Sequence, residues 1–282
     1  MATWFITGAS RGFGLEIARQ ALERGDNVVA TARNPKDVQD ALSQYGDSLL
    51  TVALDVTDEM QAREAVAEAV ERFGTIDVLV NNAGRGVLGA VEETSDAEFR
   101  SVYDTNVFGL ANVTRAVLPV MRRQRSGRIL NLSSIGGFRS VAGFGVYCST
   151  KFAVEGLSEA MRDELAPLGI QVTIVEPGYF RTDFLDATSL HTESRVISDY
   201  AETAGAVRQA VPGLNHAQPG DPVKGATAIL ALADAATPPL RAQLGSDCAA
   251  EMDRKIAQFR EETDAWRELA LSTDHDDVKG AV

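Results

Sequence analysis

Tyr147 and Lys151 carry side chains that could exchange a proton, and they are four residues apart in a segment of helical character. On a helix this spacing places both side chains on one face, one turn apart, so the phenol can lie near the ammonium. A free tyrosine has a pKa near ~10 and is a poor base at neutral pH, whereas a fixed cation favours the phenolate and lowers that pKa. The pair therefore indicates acid–base chemistry, although the same spacing also occurs on ordinary amphipathic helices.

A glycine-rich segment near the start of the chain is the second chemical signal, because Thr7 to Gly14 reads Thr-Gly-Ala-Ser-Arg-Gly-Phe-Gly. Glycines permit a sharp turn from a strand into a helix and let the backbone approach a diphosphate, which the helix N-terminus attracts. The spacing Gly-x-x-x-Gly-x-Gly differs from the commoner Gly-x-Gly-x-x-Gly. Taken alone, the segment therefore also fits a glycine-rich turn without a ligand.

The end of the second candidate strand bears on which dinucleotide such a turn would bind, and it reads Thr31-Ala32-Arg33. An acidic residue at this point would bond the ribose 2′-hydroxyl of NAD, and this chain has none. Arg33, together with Arg11 of the glycine segment, can instead bind the 2′-phosphate of NADP through bidentate hydrogen bonds. The two arginines predict NADP(H) in preference to NAD(H), although each one singly also fits a solvated surface charge.

Short apolar runs that alternate with longer segments of helical period must position these residues, and this alternation predicts βαβ units and a parallel sheet. The predicted strands are Thr3–Thr7, Asn27–Thr31, Leu49–Leu54, Ile76–Asn81, Arg128–Leu132, Gln171–Val175 and Arg241–Gly245. The predicted helices are Gly14–Arg24, Lys36–Tyr45, Glu59–Phe73, Ala97–Arg123, Tyr147–Leu165, Pro222–Leu232 and Ala249–Leu271. Residues 178–222 break the rhythm and predict an irregular cover with weak helical character at Ser194–Gln209, and residues 272–282 predict a flexible tail.

Length and composition limit the class of protein. The 282 residues contain no Pro/Gly/Ser-rich linker, which favours one domain over residues 1–271. The net charge of −13 argues against nucleic acid and anionic membranes as partners. No apolar stretch reaches the ~18 residues of a membrane span, and no signal peptide is expected. The two cysteines, Cys148 and Cys248, are typical of reduced thiols, so we expect a cytoplasmic protein.

Five motifs occur in order over residues 3–245 and together resemble the classical short-chain dehydrogenase/reductase family. They are Thr7 to Gly14, Asn81-Asn82-Ala83-Gly84, Asn106, Ser134 thirteen residues before Tyr147, and Pro177-Gly178 with Thr182. The resemblance implies an α/β fold of one domain: a doubly wound (Rossmann) parallel sheet of about seven strands with helices on both faces. It also implies a nicotinamide cofactor across the carboxyl ends of the strands, and a homodimer or homotetramer formed through the helices Ala97–Arg123 and Tyr147–Leu165.

The same resemblance implies four catalytic residues. Tyr147 would protonate a carbonyl oxygen or deprotonate an alcohol, and Lys151 would lower the pKa of this phenol and hold the nicotinamide ribose. Ser134 would hydrogen-bond the substrate oxygen, with Ser133 as the competing candidate. Asn106 would position a water between Lys151 and solvent, unless it is a helix-interior asparagine bonded to backbone.

Cofactor contacts follow from the resemblance as well. Asp55 and Val56 resemble an adenine contact, and Asn82 to Gly84 resemble the wall around the adenine ribose, although both also fit plain strand-end turns. Phe180 and Thr182 would contact the carboxamide. The full predicted set is Gly8, Ser10, Arg11, Gly12, Phe13, Gly14, Arg33, Asp55, Val56, Asn82, Ala83, Gly84, Tyr147, Lys151, Pro177, Gly178, Phe180 and Thr182.

These residues predict an NADP(H)-dependent carbonyl reductase or alcohol dehydrogenase. The expected pocket residues, Arg85–Leu88, Ile135–Phe144 and Tyr179, are mostly apolar or glycine, which favours an apolar, aromatic or steroid- or retinoid-like substrate. Arg139 could pair with a substrate carboxylate or face solvent. The three histidines lack zinc spacing, so no catalytic metal is expected. The alternatives are a non-catalytic NADP-binding regulator and an epimerase or dehydratase of the same family.

Overall fold

A parallel sheet lies at the centre of the computed structural model, which describes residues 1–275. In chain order the strands of this part of the chain are β1 (Thr3–Thr7), β2 (Asn27–Ala32), β3 (Leu49–Ala53), β4 (Val78–Asn81), β5 (Gly86–Leu88), β6 (Gly127–Leu132), β7 (Ile170–Pro177), β8 (Leu190–Thr192) and β9 (Arg241–Leu244). Seven of them form the central sheet in the order β3-β2-β1-β4-β6-β7-β9, and β5 and β8 form a separate two-stranded sheet. The predicted doubly wound sheet of about seven strands is confirmed.

Helices cover both faces of this sheet. Their bounds are α1 (Gly12–Glu23), α2 (Pro35–Leu42), α3 (Glu59–Phe73), α4 (Asp96–Tyr103), α5 (Leu110–Gln124), α6 (Gly145–Leu165), α7 (Ala206–Leu214), α8 (Pro222–Asp234), α9 (Ser246–Ala265) and α10 (Arg267–Leu271). Successive side chains of β1 point to opposite faces, so Trp4 packs with Ile17 of α1 and Ile229 of α8, whereas Phe5 packs with Val66 of α3 on the other side. The strands are continuous apolar runs because both faces of the sheet are buried under helices.

The strand order reverses between β1 and β4, and this reversal fixes where a ligand can bind. The chain moves outward from β1 through β2 to β3 and then returns to the other side of β1 to form β4. The loops that leave β1 and β4 therefore diverge and open a crevice at the carboxyl ends of the strands. The glycine segment follows β1, and Asn82 follows β4, so both lie at this crevice.

The long helix predicted at Ala97–Arg123 is wrong as a single element. It is divided by a π-helical turn at Asp104–Gly109, between α4 and α5. The turn brings Gly109 so close to Val56 that a Cβ there would lie 2.5 Å from a valine methyl. An extra residue in a helical turn rotates the residues around it, and here it directs Asn106 inward.

The cover is more regular than the sequence indicates. The strand β8 pairs with β5, and α7 begins at Ala206, later than the predicted Ser194–Gln209. Glu93 lies outside the cover, between β5 and α4, and its buried carboxylate accepts hydrogen bonds from the backbone N–H of Ile197 at 2.9 Å and from Arg208 at 2.6 Å. These charge-assisted bonds hold the cover together with the apolar contacts of Val207 and Val211 on α7.

The C-terminal region forms α9 and α10, which are separated at Trp266, so the predicted helix Ala249–Leu271 is interrupted. Most of the predicted tail at 272–282 lies outside the described residues, which end at His275. Within residues 1–275, no helix combines the length and apolar character needed to cross a membrane.

Candidate active site

A cavity of about 790 Å³ opens at the carboxyl ends of the sheet strands. Most of the residues that the sequence singles out line it: Gly8, Ser10, Arg11, Gly12, Phe13, Arg33, Asp55, Val56, Asn82, Ala83, Gly84, Ser134, Tyr147, Lys151, Pro177, Gly178, Phe180 and Thr182. Gly14 and Asn106 do not belong to this lining. The fold thus brings together residues that are up to 174 positions apart, from Gly8 to Thr182.

The glycine segment between β1 and α1 leaves no room for side chains. Gly8 and Gly12 have φ values of +65° and +54°, which glycine adopts without strain. A Cβ on Gly14 would lie 2.6 Å from Nδ2 of Asn82 and would also collide with the carbonyl of Gly8. The Asn82 amide nitrogen donates to the carbonyl oxygens of Thr7 and Gly8 at 2.9 and 3.0 Å, so it fixes this turn from behind.

The first turn of α1 offers its backbone N–H groups to the cavity. Within residues 1–275, no side-chain hydrogen bond caps α1, as is also the case for α6 and α9. Gly12 in this first turn lines the cavity. Uncapped N–H groups and the positive end of the helix favour an anion, and the glycine turn lets it approach closely. The residues present therefore fit the diphosphate of a dinucleotide.

The two arginines predicted to bind a 2′-phosphate stand in different surroundings. Arg33 follows β2 and is exposed on the cavity wall. The Arg11 guanidinium donates to Oγ1 and the carbonyl of Thr188 at 2.9 and 3.2 Å and to Oγ of Ser189 at 2.8 Å. Arg11 thus links the glycine turn to the cover, and these three bonds leave two of its five N–H groups for another acceptor.

Tyr147 and Lys151 lie side by side on α6, as the spacing predicts. The ammonium of Lys151 is 5.9 Å from the centre of the Tyr147 ring and donates a 2.7 Å hydrogen bond to the carbonyl of Leu132 at the end of β6. Both side chains are buried. The phenol and the ammonium therefore meet at the wall of the cavity.

Burial controls the ionisation of this pair, and one expectation from the sequence is wrong for the cofactor-free protein. Desolvation raises the pKa of Tyr147 above its usual value, and a hydrogen bond with Ser134 opposes this only in part. Desolvation also lowers the pKa of Lys151 to about 8. The predicted depression of the tyrosine pKa by the lysine is thus outweighed by loss of water.

Ser134 and Ser133 face different neighbours. A Cβ on Gly136 would lie 3.4 Å from both Oγ of Ser134 and Cε1 of Tyr147, so these two side chains are adjacent. A Cβ on Gly137 would lie 2.9 Å from a carboxylate oxygen of Glu155 and would also collide with Oγ of Ser133, so Ser133 lies next to Glu155, two turns further along α6 than the phenol. Ser134 is therefore the serine beside Tyr147.

The side chain of Asn106 is fully engaged by protein groups. Its Oδ1 accepts from the backbone N–H of Arg85 at 2.9 Å, and its Nδ2 donates to the Arg85 carbonyl at 2.9 Å and to Thr150 at 3.0 Å. This matches the alternative that the asparagine bonds to backbone.

Beyond Tyr147 the cavity is largely apolar. Tyr147 packs against Phe184 and Phe144, with ring centres 5.4 and 6.3 Å apart. Of the expected segment Arg85–Leu88, only Arg85 reaches the cavity. The apolar part of the lining comprises Ile135, Val141, Phe144, Cys148, Phe184 and Leu185.

The rim of the cavity contains residues that the sequence did not indicate. Arg139 pairs with Glu251 of α9 at 2.6 Å, lines the cavity and keeps 41% of its side chain exposed. Asp247 of α9 accepts from the backbone N–H of Tyr179 at 2.7 Å. Phe184 lies two residues after Thr182 and outside the matched motif, and its contact with Tyr147, like the α9 contacts, depends on tertiary packing.

One group of possible metal ligands lies in the cover. Ligand atoms of Asp183, Asp186 and His216 lie within 4.8 Å of one another, although the spacing of the histidines predicts no zinc site. Oδ1 of Asp186 is already bonded by Nδ2 of Asn215 at 2.5 Å and lies 3.2 Å from the His216 imidazole. These protein contacts account for the grouping without an ion.

Comparison with known proteins gives consistent matches. A family model described as short chain dehydrogenase matches residues 2–193. The oxidoreductase BOA17 of Botryotinia fuckeliana is 40% identical over 272 residues, which cover 96% of this chain and 98% of that protein. The 3-ketodihydrosphingosine reductase of Bacteroides thetaiotaomicron is 40% identical over 198 residues, 70% of this chain and 71% of that one. Retinol dehydrogenase 16 of Rattus norvegicus is 39% identical over 208 residues, 73% and 64% of the two chains.

Solved structures share the fold. A short-chain dehydrogenase of Streptomyces avermitilis has a TM-score of 0.90 and 42% identity over 97% of this chain and 100% of that one. Serine dehydrogenase complexed with NADP+ has a TM-score of 0.73 and 28% identity over 86% and 94% of the chains. A 3-ketoacyl-(acyl-carrier-protein) reductase of Brucella melitensis complexed with NADH has a TM-score of 0.72 and 27% identity over 86% and 96%. Both nicotinamide dinucleotides thus occur among these similar structures.

Proposed function

Because this chain belongs to the short-chain dehydrogenase family of oxidoreductases, we propose that it interconverts a ketone or aldehyde and an alcohol with NADP(H). The observation that carries the proposal is the meeting of Ser134, Tyr147 and Lys151 in one cavity with the uncapped glycine turn of α1. An anion-binding end and a proton-transferring end in the same cavity suit a dinucleotide and a carbonyl substrate.

Tyr147 is the proton donor in the direction of carbonyl reduction. Its raised pKa keeps the phenol protonated at neutral pH, so it can donate to the carbonyl oxygen as negative charge develops there. The adjacent Ser134 hydroxyl donates a second hydrogen bond to the same oxygen. When bound, a nicotinamide cofactor would supply a hydride, one hydrogen nucleus with two electrons, to the carbonyl carbon, or accept a hydride from the alcohol carbon.

Lys151 supports this step through its charge and its position. With a pKa of about 8, its ammonium is mostly protonated at pH 7 and stands beside the phenol. In alcohol oxidation the phenol must first give up its proton, and the neighbouring cation favours that form. The bond from Lys151 to the Leu132 carbonyl holds the ammonium in place for both directions.

NADP(H) is the proposed cofactor because the chain carries Arg33 where a carboxylate would be needed for the 2′-hydroxyl of NAD. Asp55 and Val56 after β3 line the same end of the cavity and suit the adenine. Arg33 is exposed toward the cavity, whereas Arg11 is held by the cover, so we assign discrimination between the two dinucleotides mainly to Arg33. Steady-state kcat/KM values for NADPH and NADH test this directly.

An apolar or aromatic substrate of the size of a retinoid or steroid fits the wall of Phe144, Phe184 and Leu185. Two of the similar proteins are named for reduction of a ketone, 3-ketodihydrosphingosine, and for oxidation of an alcohol, retinol. We also propose a homodimer or homotetramer, since Phe108 and Phe152 on the long-helix side remain 57% and 46% exposed. A cytoplasmic location stays a prediction from the sequence.

The test is to mix the protein with NADPH and a panel of apolar and aromatic ketones and to follow the cofactor absorbance at 340 nm. We expect one equivalent of NADPH to be consumed for each equivalent of alcohol formed. Product formed without NADPH consumption would indicate an epimerase or dehydratase. Binding of NADPH without turnover of any ketone in the panel, or of any alcohol with NADP+, would favour a regulator.

A further inference from the structure

Two carboxyl groups are buried behind the active site and take no part in the reaction proposed above. Glu155 lies on α6 and is 6% exposed, and Glu176 lies near the end of β7 and is 0% exposed. Carboxylates are rarely buried to this extent unless they are paired, because loss of water disfavours the charge. The two groups lie within hydrogen-bonding reach of each other, so they form one buried cluster.

Arg241, the first residue of β9, is the cation bonded to this cluster. Its Nε donates to Oε2 of Glu155 at 3.1 Å and lies 3.6 Å from Oε1 of Glu176. Its Nη2 donates to Glu159 at 2.5 Å. Three carboxyl groups thus face the same guanidinium, and two of them are buried. Two carboxylates that share a buried site repel each other, which favours a proton on one of them.

The hydrogen-bond donors decide which of the two carboxyl groups stays ionised. Ser133 lies next to Glu155, and its hydroxyl can donate to that carboxylate. Arg241 is a second donor to Glu155, and a protonated Glu176 is a third. Burial raises the pKa of Glu155, and these three donors oppose the rise. Burial and the charge of Glu155 raise the pKa of Glu176 to about 7, so Glu176 keeps the proton of the pair up to about neutral pH.

The charge that remains on Glu155 lies next to Lys151. The two residues are four positions apart on α6, so their side chains lie on one face of the helix, one turn apart. Each residue is only 6% exposed, so water screens their interaction poorly. Burial lowers the pKa of Lys151 to about 8, and the negative charge of Glu155 opposes this fall.

The other titratable groups around the pair differ from Glu155 in charge or in exposure. Cys248 of α9 donates its thiol to a main-chain carbonyl of β7 at 3.1 Å, and burial raises its pKa to about 12, so it stays neutral. Tyr147 also stays protonated, because burial raises its pKa. Glu159 is 53% exposed and lies two turns from Lys151. Among these groups, Glu155 is therefore the buried anion nearest to Lys151 along α6.

We propose, on the basis of the proposed function, that Glu155 is a positioning residue whose buried charge keeps the Lys151 ammonium protonated beside Tyr147. An anion one helical turn away reduces the free-energy cost of burying this cation. Removal of the Glu155 charge should make Lys151 lose its proton at a lower pH. The pH at which kcat/KM for ketone reduction falls should then decrease as well.

The experiment compares the pH dependence of kcat/KM in the wild type and in Glu155→Gln, which keeps the size of the side chain and removes its charge. Arg241 retains Glu159 and Glu176 as partners in this variant, so no buried cation is left unpaired. Glu159→Gln is the matched control, because it removes an exposed carboxylate from the same helix and the same guanidinium. Glu155→Asp tests whether a charge at this position is sufficient.

For Glu155→Gln we expect the fall of kcat/KM to move to lower pH by about half a pH unit or more. Glu176 loses its charged neighbour in this variant and ionises at lower pH, so it replaces part of the missing charge. Glu159→Gln should stay within about 0.2 pH units of the wild type, since its charge is exposed and screened. Glu155→Asp should move the fall less than half as far as Glu155→Gln. If Glu155→Gln does not fold, Glu155→Met is expected to give the same shift.

Urea denaturation gives a second measurement that needs no turnover. The change Lys151→Met is made in the wild type and in Glu155→Gln, and each protein is compared with its parent at pH 7. Because the lysine has a lower pKa without Glu155, its replacement should stabilise the Glu155→Gln protein more than the wild type. A shift of half a pH unit makes this effect on the unfolding equilibrium constant about 2.5-fold larger.

An unchanged pH profile in Glu155→Gln, or a lower kcat/KM at every pH without a shift, would overturn the proposal and leave Glu155 as a structural partner of Arg241. Equal shifts in Glu155→Gln and Glu159→Gln would also overturn it, because they would assign the effect to the guanidinium that both residues share. A wild type that reduces no ketone would overturn the proposed function instead. The urea comparison would then still decide whether the charge of Glu155 acts on Lys151.

Discussion

Replacing Lys151 by methionine should stabilise the cofactor-free protein at pH 7 and abolish its activity. Lys151 is buried beside Tyr147, and burial lowers its pKa from 10.5 to about 8. At about 1.4 kcal/mol for each pH unit, this difference corresponds to a cost of about 3 kcal/mol for folding with a charged lysine. Methionine has a similar length and no charge, so the variant avoids this cost.

One contact reduces the gain. The Lys151 ammonium donates to the carbonyl of Leu132 at 2.7 Å, and methionine leaves that buried oxygen unpaired at a cost of about 1 kcal/mol. The net expectation at pH 7 is that Lys151→Met raises the free energy of unfolding by about 2 kcal/mol. A stabilising change that removes a central catalytic group indicates that the site is maintained for function at the expense of stability.

The stability that Lys151→Met gains over the wild type should decrease as the pH rises. Between about pH 8 and pH 10.5 the unfolded chain still binds the lysine proton and the folded protein does not, so wild-type stability rises with pH in this window. The advantage of Lys151→Met should therefore shrink by roughly 2 kcal/mol between pH 7 and pH 9.5.

Urea denaturation of both proteins at these two pH values measures the difference in their free energies of unfolding. The contributions of the other titrating groups are the same in both proteins and cancel in this difference. Lys224→Met on the exposed face of α8 is the matched control and should change stability by less than about 0.5 kcal/mol at either pH. A Lys151→Met protein less stable than the wild type at pH 7, or a difference that does not change with pH, would refute the reasoning.

Four further expectations concern the cofactor and the pH profile. Arg33→Asp should lower the ratio of kcat/KM for NADPH to that for NADH tenfold or more, on the order of 1.4 kcal/mol, and an unchanged ratio would reject the assignment of Arg33. Arg11→Ala, which releases the cover from the glycine turn, should lower the affinities for NADP+ and NAD+ by similar factors in calorimetric titrations. A loss of affinity for NADP+ alone would instead support the predicted clamp of two arginines on the 2′-phosphate. Gly14→Ala should raise Kd for NADP+ tenfold or more because its Cβ collides with the turn, whereas Gly156→Ala, with open space around its Cβ on α6, should stabilise the fold by about 0.5–1 kcal/mol in urea denaturation. The kcat/KM for ketone reduction should fall as pH rises through about 8, where Lys151 loses its proton, and a flat profile to pH 10 would contradict that role.

Local patterns were sufficient for the sheet and for much of the site. Buried parallel strands need continuous β-branched runs, so the predicted strand Thr3–Thr7 coincides with β1 and the other predicted strands end within two residues of the observed ones. The glycine turn and the spacing of Tyr147 and Lys151 are likewise local, because one turn or one helix fixes them. The cavity consequently contains nearly every residue singled out from the sequence.

Contacts between distant segments could not be predicted in the same way. Arg11 bonds Thr188, which is 177 residues away, and Arg139 pairs with Glu251 of α9. Nothing in the sequence near Thr188 or Glu251 marks it as the partner of an arginine. An arginine that binds a ligand and an arginine that bonds the cover also look alike in sequence.

The ionisation of Tyr147 illustrates a different limit. Helical spacing identifies the nearby ammonium and thus favours a lowered pKa, but it contains no information on how much water the fold removes from the phenol. In the folded protein desolvation is the larger influence, and the pKa rises. The direction of a pKa shift at a site is therefore a property of packing as much as of charge spacing.

The most direct test of the central claim is the turnover of Tyr147→Phe with NADPH and a ketone that the wild type reduces. The change removes only the phenolic oxygen, so we expect Kd for NADP+ to stay within about threefold and kcat to fall by ~10²–10⁴-fold, the usual contribution of a positioned general acid. Tyr200→Phe, outside the cavity, removes the equivalent oxygen as a control and should leave kcat unchanged. A Tyr147→Phe protein that reduces the ketone at the wild-type rate would contradict the assignment of this phenol as the proton donor.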